Sequence, residues 1–596
     1  MCGISAIISM EGRLSNKNEI NQLHSNIKHR GPDSCNFVFL DKVHLAHHRL
    51  AIIDVKKESD QPFNINNELF IVFNGEIYNY IEIRNELIKK GVKFRTESDT
   101  EVILNSYRVW GKECIHKFNG MWAFLIVDLK KNKIFCSRDR YGIKPFYYTV
   151  NNQKLYIASE LKQFTNFEFG RSANFEQVSI YLFSGLSNTS NQTFYENIFS
   201  LNPGENMDID LIQRTISKNK WYFANKNNKE INKFDLKKLI NSVDLRLRSD
   251  VPLGCFLSGG VDSSIIASIS NNILKANITS FHSQSIDKKN DELNYAIEMC
   301  KFSKSKLLFI KPKFNDFLEN IDDLVWTQDE PFGGLSVLMQ YLLFKKVNSE
   351  GIKVILDGQG ADEIMMGYPK YFSYILYKNI KDFNLPRLIK DSNNIFKNNF
   401  SMNFCNQIKY YIATYNPQLR SIFNQINFEG NFKKLPELEK IYKNYSNSFK
   451  DLKDIQLIDT YETSLQSLLR TEDRNSMRHS VESRLPFLDY LNYEHCLNLR
   501  SDEKLKDGWT KYSLRNLKII PDKISWRKDK IGFNSPSQIW IDKYSPIMKT
   551  EIKKSNLLEY FLNKKIIIKR WEKLSCEQKW RLFNLSKWEE LFKINS

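Results

Sequence analysis

The sequence has no apolar run that approaches the roughly 20 residues a membrane-spanning helix needs. Its first residues have neither the basic start nor the long apolar stretch of a signal peptide. No Cys-x-x-Cys pair occurs, and the nine cysteines are odd in number and widely spread, which indicates neither a disulfide framework nor a zinc site. We therefore expect a cytoplasmic protein with no membrane partner, in which every cysteine except Cys2 is a small buried hydrophobic residue.

Positive charge is abundant but is not concentrated in one region. The formal net charge is +18, yet lysine is scattered through the chain among asparagine and isoleucine. A protein that binds nucleic acid carries its positive charge in a patch or a stripe. We therefore expect no nucleic-acid partner, and salt-sensitive binding to DNA would contradict this expectation.

The length of 596 residues predicts more than one domain, and the hydrophobic pattern divides the chain at about residue 205. In residues 1–205 the predicted strands lie at 4–9, 70–73, 133–138, 146–150 and 154–158, and the predicted helices at 18–28, 80–90 and 100–110. This pattern predicts an α+β fold in which packed sheets carry helices on their outer faces.

Residues 206–596 have a different pattern, in which short apolar predicted strands alternate with predicted helices. Strands are predicted at 251–257, 278–283, 306–310 and 353–356, and helices at 263–273, 292–302 and 336–348. This alternation predicts an α/β domain with a parallel sheet covered on both faces. Beyond about residue 370 the pattern is mostly helical and predicts a helical C-terminal region.

Cys2 directly follows the initiator methionine, and its small side chain permits removal of that methionine. The mature chain would then begin with a thiol and a free α-amine on one residue. Such an amine, with a pKa of about 7.7–8.0, can act as the base for its own thiol. Taken alone, a cysteine at position 2 is better explained by chance than by a catalytic role.

An ordered series of motifs follows Cys2 and favours its interpretation as a nucleophile over a chance cysteine. The series comprises residues 29–33, 47–50, 74–79, 98–101, 137–145 and 158–160. Together with residues 1–4, it resembles the class II glutamine amidotransferase domain of the N-terminal nucleophile hydrolases. The resemblance implies an αββα sandwich over residues 1–205. His47 and His48 are also candidate metal ligands, but adjacent strand residues point to opposite faces, so we expect no metal there.

The resemblance also implies roles in glutamine hydrolysis. Cys2 would attack the amide, while the Asn74 side chain and the Gly75 backbone N–H would stabilise the oxyanion. The substrate carboxylate would pair with Arg49, and its α-ammonium would face Glu76 and Asp99.

A glycine-rich loop at 258–264 follows an apolar strand and opens a helix, which is the context of a phosphate-binding loop. The Walker A pattern is absent, and the loop resembles that of the ATP pyrophosphatases instead. A second matching element, 357–363, also follows a strand. The resemblance places ten residues around ATP: Leu257, Ser258, Gly259, Gly260, Asp262, Ser263, Ser264, Ser283, Asp357 and Gly358.

Asp262 and Asp362 are the predicted Mg²⁺ ligands, because Mg²⁺ prefers hard oxygen ligands that bridge to phosphate. Segments 469–477, 482–489 and 526–533 continue the same likeness. Within the last segment, Lys530 is the predicted cation at the reacting α-phosphorus. Lys528 and Lys511 are the competing candidates for that role.

The two halves together resemble the glutamine-hydrolysing asparagine synthetases. The resemblance implies glutamine, aspartate and ATP as substrates, Mg²⁺ as cofactor, a β-aspartyl-AMP intermediate and an internal passage for ammonia. A homodimer is a possible assembly. Many members of that family have Glu where this chain has Gln359, which keeps hydrogen bonding but cannot act as a base.

Two alternatives follow from these observations. The first is an enzyme of the same architecture that amidates another carboxylate, such as a uronic acid used for surface polysaccharide. The second is a binding or regulatory protein that has lost catalysis. Intact Cys2, Arg49, Asp99 and Asp362, together with the complete 258–264 loop, argue against the second alternative.

Overall fold

The structure, a computed structural model, describes residues 2–226, 229–287, 291–399, 402–416, 436–529 and 535–595. Lys530 lies outside these ranges, so its role stays a prediction. None of the helices in the described part of the chain has both the length and the apolar character needed to cross a membrane.

Two antiparallel six-stranded sheets form the first part of the chain, in the orders β10-β8-β9-β1-β3-β2 and β12-β11-β7-β6-β5-β4. Their strands are β1 (Gly3–Ser9), β2 (Ser34–Phe39), β3 (Val43–Arg49), β4 (Phe63–Ile65), β5 (Leu69–Ile77), β6 (Gly120–Asp128), β7 (Lys133–Arg138), β8 (Tyr147–Asn151), β9 (Lys154–Ala158), β10 (Phe199–Ser200), β11 (Glu205–Asp210) and β12 (Thr215–Lys220).

The two sheets pack face to face and carry helices on their outer faces. Side chains alternate across a strand, so Ile4 and Ile8 of β1 meet Val72 of β5 in a core between the sheets, while Ile7 faces outward. The helices of this part are α1 (Lys17–His24), α2 (Tyr80–Lys89), α3 (Asp99–Trp110) and α4 (Phe175–Ser184). Helix α1 covers the first sheet, and α2 and α3 cover the second. The predicted αββα sandwich is confirmed.

Two details differ from the predictions for this part. The helix predicted at 18–28 ends at His24 and continues as a 3₁₀ helix, Ser25–Arg30. The domain boundary predicted at 205 falls at the first residue of β11, which pairs with β7 and β12 in the second sheet. The first part therefore extends to Lys220, because this polar hairpin completes the sheet and does not link two domains.

A parallel five-stranded sheet in the order β15-β14-β13-β16-β17 organises the second part. Its strands are β13 (Leu253–Phe256), β14 (Thr279–Ser283), β15 (Leu307–Ile310), β16 (Val354–Leu356) and β17 (Glu482–Arg484), and a small hairpin adds β18 (Leu505–Lys506) and β19 (Trp509–Thr510). The predicted parallel sheet is confirmed, with β17 as a strand that the sequence pattern did not predict.

Helices cover this sheet and make up most of the chain after it. They are α5 (Leu236–Arg246), α6 (Val261–Ser268), α7 (Leu293–Ser303), α8 (Phe314–Gln328), α9 (Ser336–Ser349), α10 (Ala361–Ile364), α11 (Phe372–Lys381), α12 (Leu385–Asn398), α13 (Phe404–Tyr415), α14 (Pro436–Ser448), α15 (Leu452–Ile458), α16 (Leu465–Arg478), α17 (Tyr490–Leu497), α18 (Ser501–Lys504), α19 (Tyr512–Arg515), α20 (Asp522–Ser525), α21 (Ser537–Lys554), α22 (Lys564–Lys569) and α23 (Cys576–Phe592). The predicted helical C-terminal region is confirmed.

A buried ionic cluster joins the two parts of the chain. Arg30 of the first part contacts Glu160 at 2.7 Å and Asp473 of α16 at 2.8 Å. Lys162 contacts Asp329 at 2.6 Å, and Arg474 contacts Asp329 at 2.9 Å. All six side chains are at most 3% exposed, and their three positive charges balance three negative ones.

Asp473→Asn is expected to lower the free energy of unfolding by about 3–5 kcal/mol, because it leaves the buried Arg30 and Arg474 with one anion too few. The matched control is Asp502→Asn, whose exposed pair with Arg500 at 2.9 Å should be worth at most about 1 kcal/mol. Urea unfolding of both variants measures the difference. Equal losses for the two variants would show that the ionic cluster does not hold the parts together.

Two candidate active sites

Cys2 lies immediately before β1 and is held at both ends of its backbone. Its N–H donates to Oδ1 of Asn74 at 3.1 Å, and its carbonyl accepts from Nε of Arg30 at 3.0 Å. The side chain is 6% exposed, and burial raises the pKa of the thiol. The ionic cluster that joins the two parts of the chain thus also positions the candidate nucleophile through Arg30.

The thiol shares a cavity with four of the residues predicted to bind or activate glutamine. Arg49, Gly75, Glu76 and Asp99 line this cavity together with Cys2. The position of Gly75 requires glycine, because a Cβ there would lie 2.1 Å from the Met121 carbonyl oxygen on the adjacent strand.

Asn74, the remaining predicted residue of this site, does not line the cavity; it is fully buried and contacts the Cys2 backbone. While its Oδ1 accepts from Cys2, its Nδ2 has no hydrogen-bond partner among the described residues. A buried amide donor without a partner next to a nucleophile suits a developing oxyanion, because leaving such a donor unpaired costs about 1–3 kcal/mol.

Hydrogen bonds to the 54–60 loop hold the Arg49 side chain at the wall of this cavity. Its Nη1 donates to the Lys56 carbonyl at 2.7 Å and to Oδ1 of Asp60 at 2.8 Å, and its Nη2 donates to the Asp54 carbonyl. The 54–60 loop therefore fixes the guanidinium at the cavity wall, where its predicted pairing with a substrate carboxylate stays a prediction.

The acidic side of the cavity depends on residues from the second part of the chain. Burial raises the pKa of Asp99 to about 6, and it raises the pKa of Glu76 well above its usual range, with the Asp99 charge adding to the effect. Arg484 of β17 lies 3.6 Å from Glu76 and 2.6 Å from Glu482. Arg484 and Glu482 both belong to the 482–489 motif, but the sequence pattern alone predicts a role for neither.

A second cavity opens at the carboxyl ends of β13, β14 and β16, where parallel sheets bind ligands. Nine predicted residues line it: Leu257, Ser258, Asp262, Ser263, Ser283, Asp357, Gly358, Gln359 and Asp362. Three others do not line it. Gly259 and Gly260 form the turn behind the cavity, where the Gly259 carbonyl accepts from Arg527, and Ser264 is buried within α6.

Polar groups in this cavity suit a hydrogen-bonding ligand. Ser283 Oγ and His282 Nε2 are buried and have no partner within the part of the chain that the structure describes. His282 is oriented by its Nδ1, which lies 2.8 Å from the Leu257 carbonyl. Both side chains are cavity-lining, so a base or a ribose could satisfy them.

The two predicted metal ligands converge on one ammonium group. Nζ of Lys511 lies 2.6 Å from Asp262 and 2.5 Å from Asp362. Gly367 permits this approach, because a Cβ there would lie 1.7 Å from Asp362 Oδ1 and 2.2 Å from Lys511 Cε. The carboxylates therefore meet at a point where a cation is held, which fits the donor set of a Mg²⁺ site. The competing candidate Lys528 is exposed.

Gln359 lies on the wall of the same cavity, beside an acidic pair. Burial raises the pKa of Asp357, and it raises the pKa of Glu472 well above its usual range, with the Asp357 charge adding to that rise. Ser483 Oγ donates to Glu472. Glu472 belongs to the 469–477 motif, whose sequence alone does not predict a role for it.

Comparisons with known proteins agree with this division of the chain. A family model described as a glutamine amidotransferase domain matches residues 1–222, and one described as asparagine synthase matches residues 236–590. A Methanocaldococcus jannaschii protein with the provisional name asparagine synthetase (glutamine-hydrolyzing) 2 is 37% identical over 399 residues, which cover 62% of this chain and 76% of that protein.

Two further relatives show the range of names among similar proteins. Asparagine synthetase (glutamine-hydrolyzing) 1 of Bacillus subtilis is 29% identical over 582 residues, which cover 91% of this chain and 88% of that protein. The amidase chry2 of Gibberella zeae is 30% identical over 406 residues, which cover 62% of this chain and 60% of that protein. Because the asparagine synthase model alone matches more than half of the chain, the chain belongs to the asparagine synthase family and carries a glutamine amidotransferase domain at its N-terminal end.

Proposed function

We propose that the protein uses glutamine and ATP to convert aspartate into asparagine. The observation that carries this proposal is the presence of two cavities in one chain, a thiol cavity at Cys2 and a second cavity beside the glycine-rich loop 258–264. The relatives named asparagine synthetase favour aspartate as the acceptor over a uronic acid.

At the first cavity, Cys2 attacks the glutamine amide and releases ammonia as a thioester forms. The buried Nδ2 of Asn74 and the backbone N–H of Gly75 stabilise the oxyanion, and such donors contribute roughly 3–4 kcal/mol each. Arg49 pairs with the substrate carboxylate, while Asp99 and Glu76 attract the α-ammonium. Water then hydrolyses the thioester to glutamate.

At the second cavity, ATP adenylates the aspartate side chain, because a carboxylate is otherwise unreactive towards ammonia. β-Aspartyl-AMP forms with release of pyrophosphate, and ammonia then displaces AMP. Asp262 and Asp362 would hold Mg²⁺, which supplies charge neutralisation for the phosphates. Lys530 would stabilise charge at the α-phosphorus. Gln359 on the cavity wall can orient the intermediate by hydrogen bonding but cannot take its proton.

A continuous apolar cluster supports transfer of ammonia between the two sites. It contains Leu50, Met121 and Ile143 of the first part, and Leu469 and Met365 of the second. Leu50 also lines the thiol cavity, and Met365 follows α10, which begins beside Gln359. An apolar route of this kind favours neutral ammonia over ammonium, since burying an unpaired charge is costly.

The direct test measures AMP and pyrophosphate release with Mg-ATP and glutamine, with and without aspartate, beside an assay for asparagine. We expect aspartate-dependent AMP in equal amount to asparagine. Glutamine hydrolysis without aspartate-dependent AMP would contradict the proposal. Substituting glucuronate for aspartate in the same assay tests the uronic-acid alternative.

The glutaminase reaction should weaken in mild acid. Because the pKa of Asp99 is raised to about 6, its carboxylate is charged above pH 6 and neutral below it. We expect the KM for glutamine to rise by up to about tenfold per pH unit below pH 6. Asp99→Asn should have a high KM that rises less steeply below pH 6, because Glu76, whose pKa is also raised, is then the only one of the two carboxylates left to titrate.

The matched control is Glu97→Gln, which changes an exposed carboxylate two residues away. It should keep the wild-type KM profile between pH 5 and pH 8. If Asp99→Asn retains that profile, Asp99 does not provide the charge for the α-ammonium.

A further inference from the structure

Two histidines and a cysteine meet on the outer face of the first sheet, and the mechanism proposed above uses none of them. His24 ends α1, Cys35 lies on β2 and His48 lies on β3. Cys35 is the strand partner of His48, and directly opposed residues of an antiparallel pair point to the same face. We call these residues the His24–Cys35–His48 cluster.

The three side chains present ligand atoms to one another. Cys35 Sγ lies 3.9 Å from His48 Nε2, and one ligand atom from each residue lies within 4.8 Å of the other two. His24 Nδ1 is 2.7 Å from Ser5 Oγ, which leaves its Nε2 as the ligand atom. That Nε2 is buried and has no hydrogen-bond partner among the described residues.

An unpartnered buried nitrogen beside a thiol needs an explanation, since buried polar groups in native proteins are almost always paired. Burial lowers the pKa of His24 well below its usual range and that of His48 to about 4, so both rings are neutral at pH 7. Neutral imidazole is the form that binds metal ions. Their rings stack with centroids 4.2 Å apart.

The cluster is separate from the candidate glutamine site. His47 and His48 point to opposite faces of β3, as their adjacency predicts. His47 Nε2 lies 3.1 Å from the Phe73 carbonyl of the other sheet, while His48 faces His24 and Cys35. The two adjacent histidines therefore face different surroundings, and His48 alone combines with residues 13 and 24 positions earlier in the chain.

We propose that the His24–Cys35–His48 cluster is a binding site for a borderline divalent transition-metal ion, with Zn²⁺ the best match. Thiolate and imidazole are the ligands that such ions prefer, and oxygen-loving Mg²⁺ does not. Three protein ligands leave a fourth tetrahedral position for water at the exposed Cys35 side. Binding displaces the Cys35 thiol proton to solvent, so one proton is released for each metal ion bound.

Metal binding requires a small rearrangement of the cluster. Zn–S bonds of about 2.3 Å and Zn–N bonds of about 2.0–2.1 Å bring the ligand atoms closer than they now lie. The two rings are nearly parallel, with 11° between their planes, and must tilt towards a common point. Cys35 is exposed, so its side chain can move towards the two rings without disturbing the core between the sheets.

Cobalt(II) is the probe for this site, because thiolate coordination gives Co²⁺ an intense near-ultraviolet charge-transfer band. We expect the full-length protein to bind one equivalent of Co²⁺ with that band and to lose the band when Zn²⁺ is added. Cys35→Ser should abolish the band, and His24→Gln should weaken Co²⁺ binding at least about tenfold.

The matched control is Cys405→Ser, which removes another exposed cysteine, from α13. It should keep the Co²⁺ band, and Cys35→Ser should keep the glutaminase activity of the wild type and thus prove folded. Zn²⁺ should also raise the melting temperature of the wild type and of Cys405→Ser, but not of Cys35→Ser. A wild-type protein without the band, or a Cys35→Ser variant that retains it, would overturn the proposal.

Discussion

Cys2→Ala is expected to lower glutamine hydrolysis by at least roughly 10⁴-fold while leaving ammonia-dependent asparagine formation near the wild-type rate. Without the thiol, no covalent intermediate can form, and removal of a nucleophile costs orders of magnitude in rate. The synthetase cavity keeps its own residues, because the described side chains that line it all come from the second part of the chain.

The structure also explains why this substitution should leave the protein folded. The backbone of Cys2 keeps its bonds to Asn74 and Arg30, and its side chain is among the smallest in the core. Alanine therefore removes one sulfur atom at a cavity wall. The two rates are measured as glutamate release from glutamine and as AMP release with ammonium chloride.

Cys405→Ala is the matched control and should retain both activities, because this exposed cysteine lies in α13, far along the chain from either cavity wall. The two-site mechanism fails if Cys2→Ala loses both activities in a protein that melts at the wild-type temperature. It also fails if Cys2→Ala keeps its glutaminase activity.

Much of the fold could be predicted from the sequence, because hydrophobic periodicity marks strands and helices directly. The strands predicted at 133–138 and 154–158 have those bounds as β7 and β9. Strand β17 could not be predicted this way, since Glu482, Ser483 and Arg484 are polar and yet fully or almost fully buried. Their burial follows from the packing of the two parts of the chain, which no local pattern records.

The candidate sites likewise contain residues that the sequence predicts and residues that depend on long-range packing. Motif residues such as Arg49, at the end of β3, and Asp99, at the start of α3, meet at one cavity of the sandwich. Arg484, which approaches Glu76 from the other part of the chain, depends on long-range docking. The His24–Cys35–His48 cluster could not be predicted from the sequence for a similar reason. Its spacing matches no metal motif, and Cys35 meets His48 only through the pairing of β2 with β3.

Lys511→Met is expected to lower both glutamine-dependent and ammonia-dependent asparagine formation by roughly 10²-fold or more, with glutaminase activity retained. The ammonium contacts Asp262 and Asp362 at 2.6 and 2.5 Å and is almost fully buried. Its removal leaves two carboxylates facing each other beside the loop that would hold the ATP phosphates. With one positive charge fewer at this point, the two carboxylates repel each other and the ATP phosphates more strongly, where charge stabilisation is worth most.

Lys506→Met is the matched control, because it removes an exposed lysine five residues earlier on β18 and should leave all three activities unchanged. Aspartate-dependent exchange of pyrophosphate into ATP isolates the adenylation step and should fall with Lys511→Met. Since this variant and Cys2→Ala disable opposite halves of the reaction, mixing the two proteins should restore little glutamine-dependent synthesis if ammonia passes inside one chain. An unchanged exchange rate in Lys511→Met would show that this ammonium only stabilises the fold. Lys530 would then be the remaining candidate for the cation that stabilises charge at the α-phosphorus.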